Sequence, residues 1–137
     1  MESDKQTILF VCTHNSARSQ MAEALINVLS GDHYEAHSAG TEPTRVHPDA
    51  VLVMSEIGID LTGSRSKSVD LFTGRDWDYV VTVCDHANEA CPFFPGGRRR
   101  MHKGFPDPAA VEDERERLQA FRNTRDAIRS WIVETFP

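Results

Sequence analysis

Ile8-Leu9-Phe10-Val11-Cys12-Thr13-His14-Asn15-Ser16-Ala17-Arg18-Ser19 joins an apolar run to a thiol and, after five intervening residues, to a guanidinium. The apolar run reads as a strand. Met21, Ala22, Leu25, Ile26 and Leu29 then recur at i, i+3, i+4 spacing, with Gln20, Glu23 and Asn27 on the other side, and predict a helix that stops at Ser30-Gly31-Asp32. Strand, tight loop and helix together direct main-chain N–H groups and the positive end of the helix dipole into one concavity. A tetrahedral dianion fits there. The candidate oxyanion-binding residues are therefore Thr13, His14, Asn15, Ser16, Ala17, Arg18 and Ser19. Arg18 adds an always-charged fork matched to two oxygens, which a lysine's point charge would match less well. Cys12 would lie beneath the anion, in a field that favours thiolate over thiol, with the Ser19 hydroxyl as a further donor to the sulfur. A buried structural cysteine at a strand end is the competing reading. The position between a strand and a helix favours the nucleophile.

The 137 residues predict one domain, 1–137, large enough to build a core without staples. With 39% hydrophobic and 26% charged residues the composition is that of an ordinary globular protein. A net charge of −6 argues against a nucleic-acid partner, and Arg98-Arg99-Arg100 reads as a solvated loop. The N-terminus has no charged-then-apolar leader, and no apolar stretch is long enough to span a bilayer, so a cytoplasmic location and no membrane partner are expected. Three cysteines, none in C-x2-C spacing, suggest reactive thiols rather than structural disulfides in such a compartment.

Further along, Tyr34-Glu35-Ala36-His37-Ser38 alternates as a strand that Ala39-Gly40 should break. A helix starts at His47-Pro48 and runs toward Gly58, a short one lies around Val69 to Phe72, and Tyr79-Val80-Val81-Thr82-Val83 is a third strand ending at Cys84. Met101 and His102 belong to a fourth strand. Leu118, Phe121, Ile128, Trp131 and Ile132 mark one face of a long C-terminal helix with an acidic start. This alternation predicts an α/β fold: a single three-layer domain with a four-stranded parallel sheet and helices on both faces. Catalytic loops then belong at the carboxyl ends of the strands. Asp107, in Asp107-Pro108 just after the fourth strand, is either a general acid for a leaving oxygen or a simple Asp-Pro turn, and its neighbourhood favours the acid.

Cys12 to Ser19, Cys84 with Cys91-Pro92, and Gly104-Phe105-Pro106-Asp107-Pro108 resemble the arsenate reductases built on the low-molecular-weight protein tyrosine phosphatase fold, over nearly the whole chain. The resemblance implies a catalytic set of Cys12, Arg18, Cys84, Cys91 and Asp107, with arsenate as substrate and arsenite as product. It implies attack by Cys12 on arsenic, attack by Cys84 on Cys12, and attack by Cys91 on Cys84, leaving a redox disulfide between Cys84 and Cys91 and requiring the segment from Asp85 to Ala90 to move. Thioredoxin is the family's usual reductant, with glutaredoxin or a small thiol as alternatives. No cofactor and a monomer are expected.

The chain departs from its relatives at three places. His14 stands where glycine is frequent, and a wrapped loop can demand a positive φ there. Ala17 replaces an extra cysteine. Lys67 stands where some members supply a carboxylate to potassium, with Asn15, Glu23 and Ser38 in the other ligand positions, so Lys67 should pair with Glu23 and no metal is expected. The spacing of Cys84, His86 and Cys91 fits no common zinc module. A protein tyrosine phosphatase is the alternative function, but such enzymes place tyrosines after the Asp-Pro, where this chain has Ala109-Ala110. A non-catalytic redox sensor is the other rival, and it would need an appended partner-binding element.

Overall fold

Residues 8–11 are fully buried because the strand that carries them is central and covered on both faces. The computed structural model describes residues 5–85 and 94–137. Its four strands are β1 (Gln6–Cys12), β2 (Tyr34–Gly40), β3 (Tyr79–Thr82) and β4 (Arg99–His102), paired in parallel in the order β2-β1-β3-β4. The helices are α1 (Arg18–Leu29), α2 (Pro48–Ser55) and α3 (Glu114–Thr135), with short 3-10 turns at Val69–Leu71 and Pro108–Ala110.

Strand alternation divides the core. Ile8, Phe10 and Cys12 face a large cluster that includes Met21 and Leu25 of α1, Val53 and Met54 of α2, and Phe121, Ile128 and Ile132 of α3. Leu9 and Val11 face the opposite side, where Phe72, Trp77, Val80 and Phe94 cover them. Each of the large apolar side chains buried in this way contributes about 1.5–3 kcal/mol. Asp113 starts α3 by accepting the Glu116 N–H at 2.9 Å, a cap worth about 1 kcal/mol. No helix among the described residues is long and apolar enough to cross a membrane.

Several boundaries differ from the sequence reading, the smallest being that of β3, which ends at Thr82 and not at Val83. β2 continues through Ala39 and Gly40 instead of breaking there, because Val11 and Cys12 pair with them and Gly40 also bridges to Ser68. α2 stops at Ser55, and the chain turns through Gly58 at φ 82 while the Ile59 N–H bonds to the Met54 carbonyl at 2.9 Å. Arg99 and Arg100 are strand, not loop. They lie on the edge strand β4, where long cationic side chains stay exposed and Arg99 sits 5.9 Å over the Tyr79 ring. The R-R-M-H pattern hides the strand because an edge needs no apolar alternation.

Candidate active site

β1 ends at Cys12, a free thiol that is 3% exposed, and the chain turns through residues 13–17 before α1 begins at Arg18. The turn is held from outside by its carbonyls. Thr13 O accepts the Glu42 N–H at 2.8 Å, His14 O accepts the Thr44 N–H at 3.3 Å and the Ser66 hydroxyl at 2.7 Å, and Ser16 O accepts the His47 N–H at 2.9 Å. Asn15 O accepts from Gln20 Nε2 at 3.2 Å. Four consecutive carbonyls directed outward turn the N–H sides of the loop inward. The Asn15 N–H points at Cys12 Sγ, 3.3 Å away. Ala17 offers no side chain to cap α1, so the positive end of that helix stays directed at the loop's hollow.

Asn15 organises the loop. Its backbone is left-handed, φ 50, which asparagine tolerates better than most residues. The positive φ falls on Asn15 and not on His14, so histidine is accommodated without that strain. Asn15 Nδ2 donates to Ser19 Oγ at 2.8 Å, which leaves the Ser19 hydrogen to be directed at Cys12 Sγ, 2.9 Å away. Asn15 Oδ1 accepts from Gln20 Nε2 at 2.9 Å and from the Lys67 N–H at 2.8 Å. Gly40 closes the back of the loop: a Cβ there would lie 2.4 Å from the Thr13 oxygen and 2.9 Å from the Asn15 nitrogen.

Arg18, 6% exposed, enters from α1 and donates through Nη1 to the Phe105 carbonyl at 3.0 Å, while Nη2 lies 3.9 Å from Asp107 Oδ2. Asp107 Oδ1 accepts the Ala109 N–H at 3.0 Å and so starts the Pro108–Ala110 turn. These groups enclose a cavity of about 140 Å³ lined by Cys12, His14, Ser16, Ala17, Arg18, Thr44, Asp107 and Ala109. Cys12 is at its floor and the exposed His14 and half-exposed Asp107 are at its mouth. Behind the wall, burial pushes the His47 pKa down. The neutral ring keeps a lone pair on Nδ1 to accept the Asp49 N–H at 3.0 Å and cap α2.

A thiol at the end of a central strand, under an uncapped helix and beside an arginine and an aspartate, is matched by one family model, that of the low-molecular-weight phosphotyrosine protein phosphatases, over residues 7–134. The chain belongs to that family. An arsenate reductase of Halalkalibacterium halodurans is 44% identical to the chain over 126 residues, 91% of each chain. A solved arsenate reductase in its phosphate-binding state is 29% identical with a TM-score of 0.78 over 96% of both chains. The thioredoxin-dependent arsenate reductase of Corynebacterium glutamicum is 27% identical with a TM-score of 0.65, over 98% of this chain and 63% of that one.

Six of the residues singled out in the sequence, Cys12, His14, Ser16, Ala17, Arg18 and Asp107, line the one cavity, while Asn15 and Ser19 brace Cys12 from behind and Thr13 ties the loop to Glu42. Cys84 is fully buried just past the end of β3, beside the β1 end that carries Cys12: the Val83 N–H bonds to the Val11 carbonyl at 3.3 Å. Cys91 and His86 lie outside the described residues, so the Cys84 and Cys91 pairing has no geometry here. Among the described residues no three His, Cys, Asp or Glu side chains converge as metal ligands. Sequence reading missed Thr44 and Gly40, and it noted Ala109 only as a residue in place of a tyrosine after the Asp-Pro. Gly40 enters the sequence reading only as a strand breaker, whereas it is the last residue of β2 and lies against the loop.

Proposed function

We propose that this protein reduces arsenate to arsenite as an arsenic-detoxifying enzyme, with Cys12, Arg18, Asp107, Cys84 and Cys91 as its catalytic residues. The observation that carries the reading is a free thiol at the floor of a cavity of about 140 Å³, with Arg18 on its wall and Asp107 at its mouth. Its relatives named as arsenate reductases, in sequence and in structure, support the choice of anion. Ala109 on the cavity wall favours a small oxyanion over a phosphotyrosine, whose ring would need aromatic partners there.

In the first step the Cys12 thiolate bonds to arsenic, Asp107 gives its proton to the departing hydroxide, and water leaves while Arg18 and the loop amides hold the remaining oxygens. Cys84, as thiolate, then attacks Cys12 Sγ. The sulfur–arsenic bond breaks toward arsenic, which takes its electron pair and leaves as arsenite, and a Cys12 to Cys84 disulfide remains. Cys91 next attacks Cys84, releases the Cys12 thiolate and leaves a Cys84 to Cys91 disulfide for an external dithiol. Sulfurs must come within bonding distance for each exchange; the segment from Asp85 to Ala90, on which the expectation of movement falls, lies outside the described residues from residue 86 on. Thioredoxin is the reductant we assign, in line with the Corynebacterium relative, with glutaredoxin or a small thiol as the substitutes. The enzyme works as a cytoplasmic monomer.

Mixing fully reduced protein with arsenate, without oxygen or added reductant, is expected to yield one arsenite per chain and a Cys84 to Cys91 disulfide by mass spectrometry. In Cys91→Ser the disulfide should stop at Cys12 to Cys84. Three free thiols and no arsenite would overturn the proposal.

Lys67 Nζ lies 3.3 Å from Glu23 Oε1, which also accepts the Ser38 hydroxyl at 2.5 Å. The ammonium supplies the positive charge beside Glu23 that a bound cation would supply. Exchanging sodium for potassium at constant ionic strength is therefore expected to leave turnover unchanged, and a potassium-specific rise in rate would contradict this.

A further inference from the structure

The His14 ring stands at the cavity mouth with one nitrogen already committed. Nδ1 lies 3.1 Å from the Glu42 main-chain oxygen. A carbonyl oxygen only accepts, so Nδ1 carries the hydrogen, and in the neutral ring Nε2 is then a bare acceptor. Among the described residues Nε2 has no hydrogen-bond partner. The rest of the cavity is rich in donors: the inward N–H groups of the loop, the start of α1 and the Arg18 guanidinium. Asp107 is the other acceptor at the mouth, and in the proposed reaction it gives a proton rather than takes one.

We propose that His14 Nε2 accepts a hydrogen bond from the hydroxyl of the bound anion. The pocket thereby selects tetrahedral oxyanions that retain a proton near neutral pH, arsenate and phosphate, against sulfate, which retains none. This rests on the oxyanion reading of the Cys12 cavity. Attack from Cys12 at the floor sends the leaving hydroxyl toward the mouth, where His14 and Asp107 both stand. Asp107 then adds a proton to that oxygen while Nε2 holds the hydrogen already on it. Sulfate has the same shape and charge as the phosphate dianion but would set an oxygen lone pair against the Nε2 lone pair. An acceptor left facing an acceptor is the kind of mismatch by which polar sites reject close analogues. The loop amides alone, all donors, make no such distinction.

The test follows alkylation of Cys12 by iodoacetamide, read on the Cys12 peptide by mass spectrometry, in reduced protein titrated with phosphate or with sulfate. It is run at constant ionic strength and mildly alkaline pH. Phosphate is expected to protect Cys12 at concentrations at least about tenfold lower than sulfate does. His14→Ala should raise the phosphate requirement about tenfold and leave that of sulfate unchanged or lower. His14→Gln, whose amide oxygen can accept, should recover part of the preference, and it serves in place of His14→Ala if that variant does not fold. Equal protection by both anions in the unaltered protein, or an equal shift for both in His14→Ala, would overturn the proposal by making the ring a wall only. Protection by neither anion would overturn it together with the oxyanion reading of the cavity. Phosphate-selective protection in a protein that makes no arsenite would sink the reductase alone.

Discussion

Gly40→Ala is expected to cost about 2–4 kcal/mol of stability and to lower turnover about a hundredfold, although residue 40 does not line the cavity. An added Cβ would meet the Thr13 oxygen at 2.4 Å, the Asn15 nitrogen at 2.9 Å and the His14 carbonyl carbon at 3.0 Å. All three are main-chain atoms of the loop that surrounds Cys12, so no side chain can swing aside to relieve the contact. Gly40 itself is fixed by pairing with Cys12 and by donating its N–H to the Lys67 carbonyl at 2.8 Å. The loop must therefore yield, and its N–H groups lose their aim at the anion. Urea denaturation and single-turnover kinetics on the same preparation measure both losses. Gly63→Ala is the matched control, because nothing lies within 4 Å of a Cβ there. It should stay within about 0.5 kcal/mol of the unaltered protein. Similar behaviour of the two variants would show that the loop is not packed against β2 as tightly as the structure has it.

The contrast between these two glycines marks what a single sequence conveys. The loop's chemistry was legible because Cys12, Arg18 and Asp107 are residue types with few structural uses in that order, and because strand and helix patterns flank them. Its support was not. Gly40, Thr44, Ser66 and Lys67 reach the loop from segments 25 or more residues away in sequence: Thr44 and Lys67 through main-chain N–H groups that almost any residue type supplies, Ser66 through a hydroxyl common on any surface, and Gly40 through the lack of a side chain. Periodicity placed α1 and α3 well because each buries one apolar stripe, whereas β4 was half lost because only Met101 in it has an apolar neighbour to meet. The concern over a positive φ was sound in kind and misplaced by one residue: the turn needs it at Asn15, where the chain supplies a residue that tolerates it.

Asn15→Ala should cost about 2–4 kcal/mol while leaving every cavity-lining residue in place. Asn15 is fully buried, and its side chain joins Ser19 Oγ, Gln20 Nε2 and the Lys67 N–H in one network. Alanine leaves the Lys67 N–H without its acceptor and takes one partner each from Ser19 Oγ, which keeps Cys12 Sγ, and Gln20 Nε2, which keeps the Asn15 and Arg65 carbonyls; the lost bonds together cost about 2 kcal/mol. It also replaces asparagine, whose short polar side chain is tolerated in the left-handed region at φ 50, with a residue that is tolerated there less well, which adds about 1 kcal/mol. The two contributions separate by comparison with Asn15→Gly, which loses the same hydrogen bonds but suffers no penalty for the dihedral. Glycine should therefore be the more stable replacement by about 1 kcal/mol, against the usual order in which glycine is the worse substitute. Both variants free Ser19 Oγ from Asn15 Nδ2, so the hydroxyl is no longer oriented to donate to Cys12 Sγ. Alkylation of Cys12 should then show the same altered rate in both, while their denaturation midpoints differ. Equal midpoints would mean that the left-handed turn at residue 15 carries no strain. Equal alkylation rates in the variants and the unaltered protein would mean that Ser19 does not act on the thiol through Asn15.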